Sequence, residues 1–167
     1  MRMNSEISRA AFVELIEEHK KLIYKVGQMY CKNETDREDL LQDIVYNLWI
    51  SFPKFEGRSK ITTWIYRIAL NTAITTFRDS VKRPINVEYE PFITHLTDDH
   101  DDSLDELSSQ LYNAINNLGK IDKAIMTLFL ENYSYDEISE VVGLSKTNVA
   151  TKISRIRLKL KKSMSTD

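Results

Sequence analysis

Two constellations in this 167-residue sequence carry side chains able to do chemistry, and in both the chemistry is recognition of nucleic acid. From Lys146 to Lys162 the chain holds Lys146, Lys152, Arg155, Arg157, Lys159, Lys161 and Lys162 with no acidic residue, a run suited to a polyanion. Upstream, Phe52, Phe55, Trp64 and Tyr66 interleave with Lys54, Arg58, Lys60 and Arg67, and Asn71 and Arg78 follow. Rings among cations suit a single strand, because a base stacks on a ring for about 1 to 3 kcal/mol while the cations hold phosphate. Each constellation also has a plainer reading. A charge run can be a solvated helix face, and aromatics at helical spacing are usually core, so Phe52 and Trp64 are assigned at least partly to packing.

Catalytic and metal-binding patterns do not assemble. The 4 glycines form neither a P-loop nor a G-x-G-x-x-G turn, and Cys31 cannot join His19, His95 and His100 in a zinc-ligand spacing. The expectation is therefore a chain with no enzyme activity, no metal, no cofactor and no small-molecule substrate. A lone cysteine forms no intrachain disulfide and fits a reducing cytoplasm. No apolar run reaches the roughly 18 to 20 residues of a membrane span, and the N-terminus has no apolar signal-peptide core, so neither secretion nor membrane insertion is expected.

The elements that must position these groups are helices. With 42% apolar residues, 29% charged residues, 4 Gly and 3 Pro, the composition leaves little material for hairpin turns and predicts an all-α fold. The formal net charge of −2 conceals a division: residues 84 to 106 carry 8 acids and no base, while the blocks on either side are mildly basic. Pro84, Pro91 and the Asp98, Asp99, His100, Asp101, Asp102 run predict an extended or disordered joint, kept open by self-repulsion. The expected organisation is two small helical domains, 1–83 and 107–167, joined by an acidic linker at 84–106. In the first, Phe12, Leu15, Ile16, Ile23 and Val26 mark one amphipathic helix and Leu40, Leu41, Ile44, Val45, Leu48 and Trp49 a second. A third begins near Lys60, after a break at Pro53 and Gly57. The second block predicts four short helices.

From Tyr135 the chain reads YDEISEVVGLSKTNVATKISRIRLKLKK, and its punctuation is that of a helix-turn-helix. Asp136 to Val142 is one short helix, Gly143 can take the left-handed conformation that ends it, Leu144 plugs the corner and Ser145 caps the next. Val149, Ile153, Ile156 and Leu160 form the buried seam of that second helix, which turns Lys146, Thr147, Asn148, Thr151, Lys152 and Arg155 outward. A helix so placed reads base edges in the major groove.

Beyond these local signals, DREDLLQDIVYNLWISFPKFEGRSKITTWIYRIALNTAITTFR (Asp36 to Arg78) resembles region 2 of the extracytoplasmic-function sigma factors of bacterial RNA polymerase, and Tyr135 to Lys162 resembles their region 4. The F-x-G-x-S-x-x-x-TW-x-YRIA-x-N string from Phe55 to Asn71 is the most discriminating part. The resemblance implies that Asp39, Gln42 and Asp43 dock on core RNA polymerase, within a stretch, Glu34 to Asp43, holding five acids against Arg37. It implies that Ser51, Phe55, Arg58, Lys60, Trp64, Tyr66, Arg67 and Asn71 engage the minus-10 promoter element, with a flipped base near Ser51, Phe55, Tyr66 and Asn71. The helix from Lys146 would read the minus-35 element as duplex. Family members often have Gly-Thr-Val-Arg-Ser-Arg near its start, where this chain has Thr147-Asn148-Val149-Ala150-Thr151-Lys152, so promoter sequence does not transfer. The implied partners are core RNA polymerase and promoter DNA, with an anti-sigma factor as a further partner known among relatives. The alternative is a stand-alone helix-turn-helix regulator whose first block is a ligand or dimerisation domain.

Overall fold

The computed structural model describes residues 2–76 and 106–165, with side chains over 9–76 and 107–165. The expected acidic joint, apart from Glu106, and Arg78 lie outside these residues. Among the described residues there are seven α-helices, one 3-10 turn and no strand, so the fold is all-α, and the chain divides into two compact units.

In the first unit, α1 (Arg2–Tyr30), α2 (Glu34–Ser51) and α3 (Ile61–Thr76) each pack on the other two. On α1 the stripe Phe12, Ile16, Ile23 and Val26 is buried, and on α2 Leu40, Leu41, Ile44, Val45 and Leu48 are. Each such side chain contributes about 1.5 to 3 kcal/mol on leaving water. Gly27 permits the close approach of α1 and α2, since a Cβ there would stand 3.0 Å from Leu41 and 3.1 Å from Arg37. Asn33 starts α2, its side chain accepting from the Asp36 N–H at 2.8 Å. Pro53 sits in the 3-10 turn Phe52–Lys54 that follows α2, and Gly57, at φ +68°, turns the chain back toward α3. α3 is the most enclosed helix of the unit, with eight of its 16 residues buried. Asn47 of α2 donates to Thr72 Oγ1 at 3.0 Å, and that hydroxyl donates to the Ile68 carbonyl at 2.7 Å, so the polar atoms at this contact are satisfied. Cys31 is buried in the joint between α1 and α2, and burial first, then Asp36, pushes its thiol pKa up, which keeps it protonated and inert.

The second unit comprises α4 (Glu106–Asn116), α5 (Lys120–Leu130), α6 (Tyr135–Val142) and α7 (Lys146–Met164). α7 is its spine, packing on the other three, and at 19 residues it is longer than the short helix expected. Ile115, Leu118, Ile125, Leu128, Ile138 and Val141 close over its seam of Val149, Ile153, Ile156 and Leu160.

Candidate nucleic-acid interface

The turn between α6 and α7 is built from local hydrogen bonds. Ser134 and Glu137 form a capping box: Ser134 Oγ accepts from the Glu137 N–H at 3.2 Å and Glu137 Oε2 accepts from the Ser134 N–H at 2.8 Å. Gly143 ends α6 at φ +71°, ψ +25°, its N–H donating to the Ser139 carbonyl at 3.0 Å. The Ser139 hydroxyl donates to the Leu144 carbonyl at 2.5 Å, and Ser145 Oγ accepts from the Asn148 N–H at 3.2 Å to open α7. These bonds fix the angle at which α7 leaves the turn.

Of the six residues expected to face outward, Lys146, Thr147, Asn148, Thr151 and Arg155 are exposed. Lys152 differs: it is part-buried on the flank of α7 and donates to Asp122 Oδ1 of α5 at 2.8 Å. It is less outward than expected, and the reason is stem length, which lets the ammonium reach back along the flank to an acid 30 residues earlier. Lys146 also finds an acid, Asp136 Oδ2 at 2.8 Å, but both partners are largely exposed. Further along, Arg157, Lys159, Lys161 and Lys162 are exposed, and so is Leu158.

On the first unit, Lys60, just ahead of α3, falls along one stripe with Arg67 and Asn71 of that helix, since spacings of seven and four residues return to nearly the same azimuth. Asn71 and Lys60 are exposed and Arg67 part-buried. Trp64 belongs to the same stripe but is only 4% exposed, because Phe55 lies over it with ring centroids 4.9 Å apart. Phe55 itself remains partly exposed, as does Ser51, while Arg58 projects into solvent and pairs with Glu56. Tyr66 is 2% exposed and sits about 140° around α3 from Asn71, on the core side. Stacking needs an accessible ring face; Trp64, already read as at least partly packing, and Tyr66 are buried, whereas Phe52 and Phe55 are part-exposed, and of these two Phe55 is the ring that lies over Trp64.

The acidic helix holds a feature that the sequence reasoning missed. Asp39 and Asp43 are part-buried and Gln42 exposed, and at 100° per residue Asp39, Asp43, Tyr46 and Ile50 fall within about 60° of one another. Tyr46 is 41% and Ile50 50% exposed, both turned away from Leu41, Ile44 and Leu48 in the core. The surface is therefore acidic at one end and apolar at the other. Its signal lay in the sequence, because Tyr46 and Ile50 are apolar residues out of phase with the buried set. Arg37, the one base of the stretch, lies 5.4 Å from the centre of the Tyr24 ring.

Residues 15–83 match the family described as Sigma-70 region 2, and residues 108–160 match Sigma-70, region 4. The chain is 29% identical over 152 residues to the RNA polymerase sigma factor SigV of Bacillus subtilis, covering 90% of this chain and 89% of SigV. It is 30% identical over 161 residues to the ECF RNA polymerase sigma-E factor of Haemophilus influenzae, covering 89% and 85%. Among solved structures it resembles the sigma factor RpoE in complex with the anti-sigma factor NepR from Bartonella quintana, with a TM-score of 0.68 at 19% identity over 94% of this chain and 98% of RpoE. The region 2 match occupies the block that a stand-alone regulator would need for a ligand or dimerisation domain, so that alternative is not favoured. With both regions matched in order and a relative similar over nearly its whole length, the chain belongs to the extracytoplasmic-function sigma factors of the sigma-70 family.

Proposed function

We propose that the chain is a promoter-specificity subunit in which 1–83 docks on core RNA polymerase and opens the minus-10 element, 84–106 is an acidic linker and 107–167 reads the minus-35 element. Asp39, Gln42 and Asp43 take the polymerase, and Tyr46 and Ile50 continue that surface with an apolar end. Phe55 stacks on the unpaired strand with Trp64 as its floor, Ser51 and Asn71 offer hydrogen bonds to an extruded base, and Arg58, Lys60 and Arg67 hold phosphates. Thr147, Asn148, Thr151 and Arg155 meet the duplex, with Lys146 at the entry of the helix. The chain contributes binding energy and no bond chemistry of its own, and it works in the cytoplasm. The complex of RpoE with NepR supports an anti-sigma partner as well.

The observation that carries this reading is that one chain holds both matched modules, one with a partly exposed aromatic packed on Trp64 and an exposed amide, Asn71, on the same α3 stripe as Trp64, the other with a polar outward helix face. Transcription in vitro with purified core polymerase and a genomic promoter pool tests it: transcripts should start at defined sites only when the chain is present, and starts indifferent to the chain would overturn it. Arg155→Ala is expected to weaken duplex binding. If the residue holds a phosphate, the slope of log affinity against log salt flattens by about 0.9, and if it touches a base, sequence preference relaxes by about 1 to 3 kcal/mol. Unchanged duplex binding would remove α7 from this role.

A further inference from the structure

Lys152 stands in the recognition half of α7, yet its ammonium is already engaged. Nζ donates to Asp122 Oδ1 at 2.8 Å, reaching the first turn of α5. The pair is more sheltered than the one between Lys146 and Asp136: Lys152 and Asp122 side chains are 38% and 32% exposed, against 60% and 72% for Lys146 and Asp136. Asp122 is well held, because a carboxylate in the first turn of a helix is favoured by the unpaired N–H groups there. On the helical wheel Lys152 lies about 100° from the outward-facing Thr151, on the flank of a groove-filling helix where a duplex backbone passes.

We propose that Asp122 is an intramolecular stand-in for a DNA phosphate: it competes for Lys152 and holds down the sequence-independent attraction of α7 for DNA. The inference rests on the reading of α7 as the duplex-contacting helix. Contacts to phosphate raise affinity for every duplex alike and carry no sequence information directly. A cation withheld from the backbone therefore lowers binding to unrelated DNA while Thr147, Asn148, Thr151 and Arg155 remain outward for base edges. Lys152 is in consequence a residue that sets affinity through its carboxylate partner, and Asp122 is the positioning residue that governs it.

The test uses the full chain and a duplex of mixed sequence, titrated with salt. Asp122→Asn keeps the shape of the side chain and removes its charge. It should bind the duplex about two- to five-fold tighter at low salt, the range an ion pair of this exposure can withhold, and steepen the salt slope by up to about 0.9. Asp122→Ser must reproduce the gain. In a Lys152→Met background, Asp122→Asn should yield no gain, which separates release of this lysine from the general loss of a negative charge. An equal gain in both backgrounds, or no gain with Lys152 present, overturns the proposal. Arg155→Ala run alongside tells its failure from that of the parent reading. A chain weakened by Arg155→Ala but indifferent to Asp122→Asn loses this inference alone, whereas indifference to Arg155→Ala removes the duplex role and the inference with it.

Discussion

Asp39→Lys combined with Asp43→Lys is expected to abolish capture of the chain by core polymerase, weakening the complex by at least about 100-fold, while helical content and melting stay close to the parent's. The two carboxylates lie on the side of α2 opposite Leu41, Ile44 and Leu48, so lysine stems can reach solvent without entering the core. Reversing both changes the local charge by four, and on the proposed docking role the new lysines face a surface complementary to carboxylates, where like charges brought together cost several kcal/mol, enough for a loss of this size. Tyr46→Ala provides a change without charge. It removes a 41% exposed ring from the same stripe and should weaken capture by about ten-fold, as loss of a moderate aromatic contact does. Co-purification with core polymerase at moderate salt checks both, and normal recovery of the double lysine variant would remove the docking role from α2.

Trp64→Ala should act on the fold before it acts on DNA. The indole is 4% exposed beneath Phe55, and truncating such a ring costs about 3 to 5 kcal/mol, a large part of the roughly 5 to 15 kcal/mol that holds a domain together. Phe55→Ala should behave oppositely, leaving denaturant unfolding of the first unit near the parent's while costing about 1 to 3 kcal/mol of affinity for a melted minus-10 strand by the polymerase complex. The two variants separate floor from surface. If Trp64→Ala unfolds at the parent's denaturant concentration, the packing role of the indole is lost. If Phe55→Ala opens promoters as well as the parent, the stacking role goes with it.

Local punctuation made the helix-turn-helix legible. Gly143 and Ser145 fix their bonds within five residues of themselves, so turn and cap stand in the structure where the residue types place them, while the capping box of Ser134 that opens α6 went unread. The seam Val149, Ile153, Ile156 and Leu160 was readable for the same reason, because one helix period decides it. Tyr66 was not, and Trp64, though read at least partly as packing, gave no sign of what covers it. α3 is enclosed on most of its circumference, and periodicity cannot tell which ring of an apolar helix is covered when the covering residue, Phe55, comes from the preceding loop. The engagement of Lys152 was illegible too, since its partner belongs to another helix and the sequence gives no distance between them. Tyr46 and Ile50 are the intermediate case: their phase on α2 stands in the sequence, but phase alone does not tell an exposed apolar residue from one covered by another helix.

The division of α7 into an inward seam and an outward polar row has a consequence for inheritance. Thr147, Asn148, Thr151 and Arg155 are exposed and contribute little to the interior, so on the role proposed for α7 exchanging them should alter what the domain reads without asking the helix to find a new way to pack. On that role, descendants of such a chain should be able to drift from one set of regulated genes to another by single surface replacements, each intermediate still a soundly built domain.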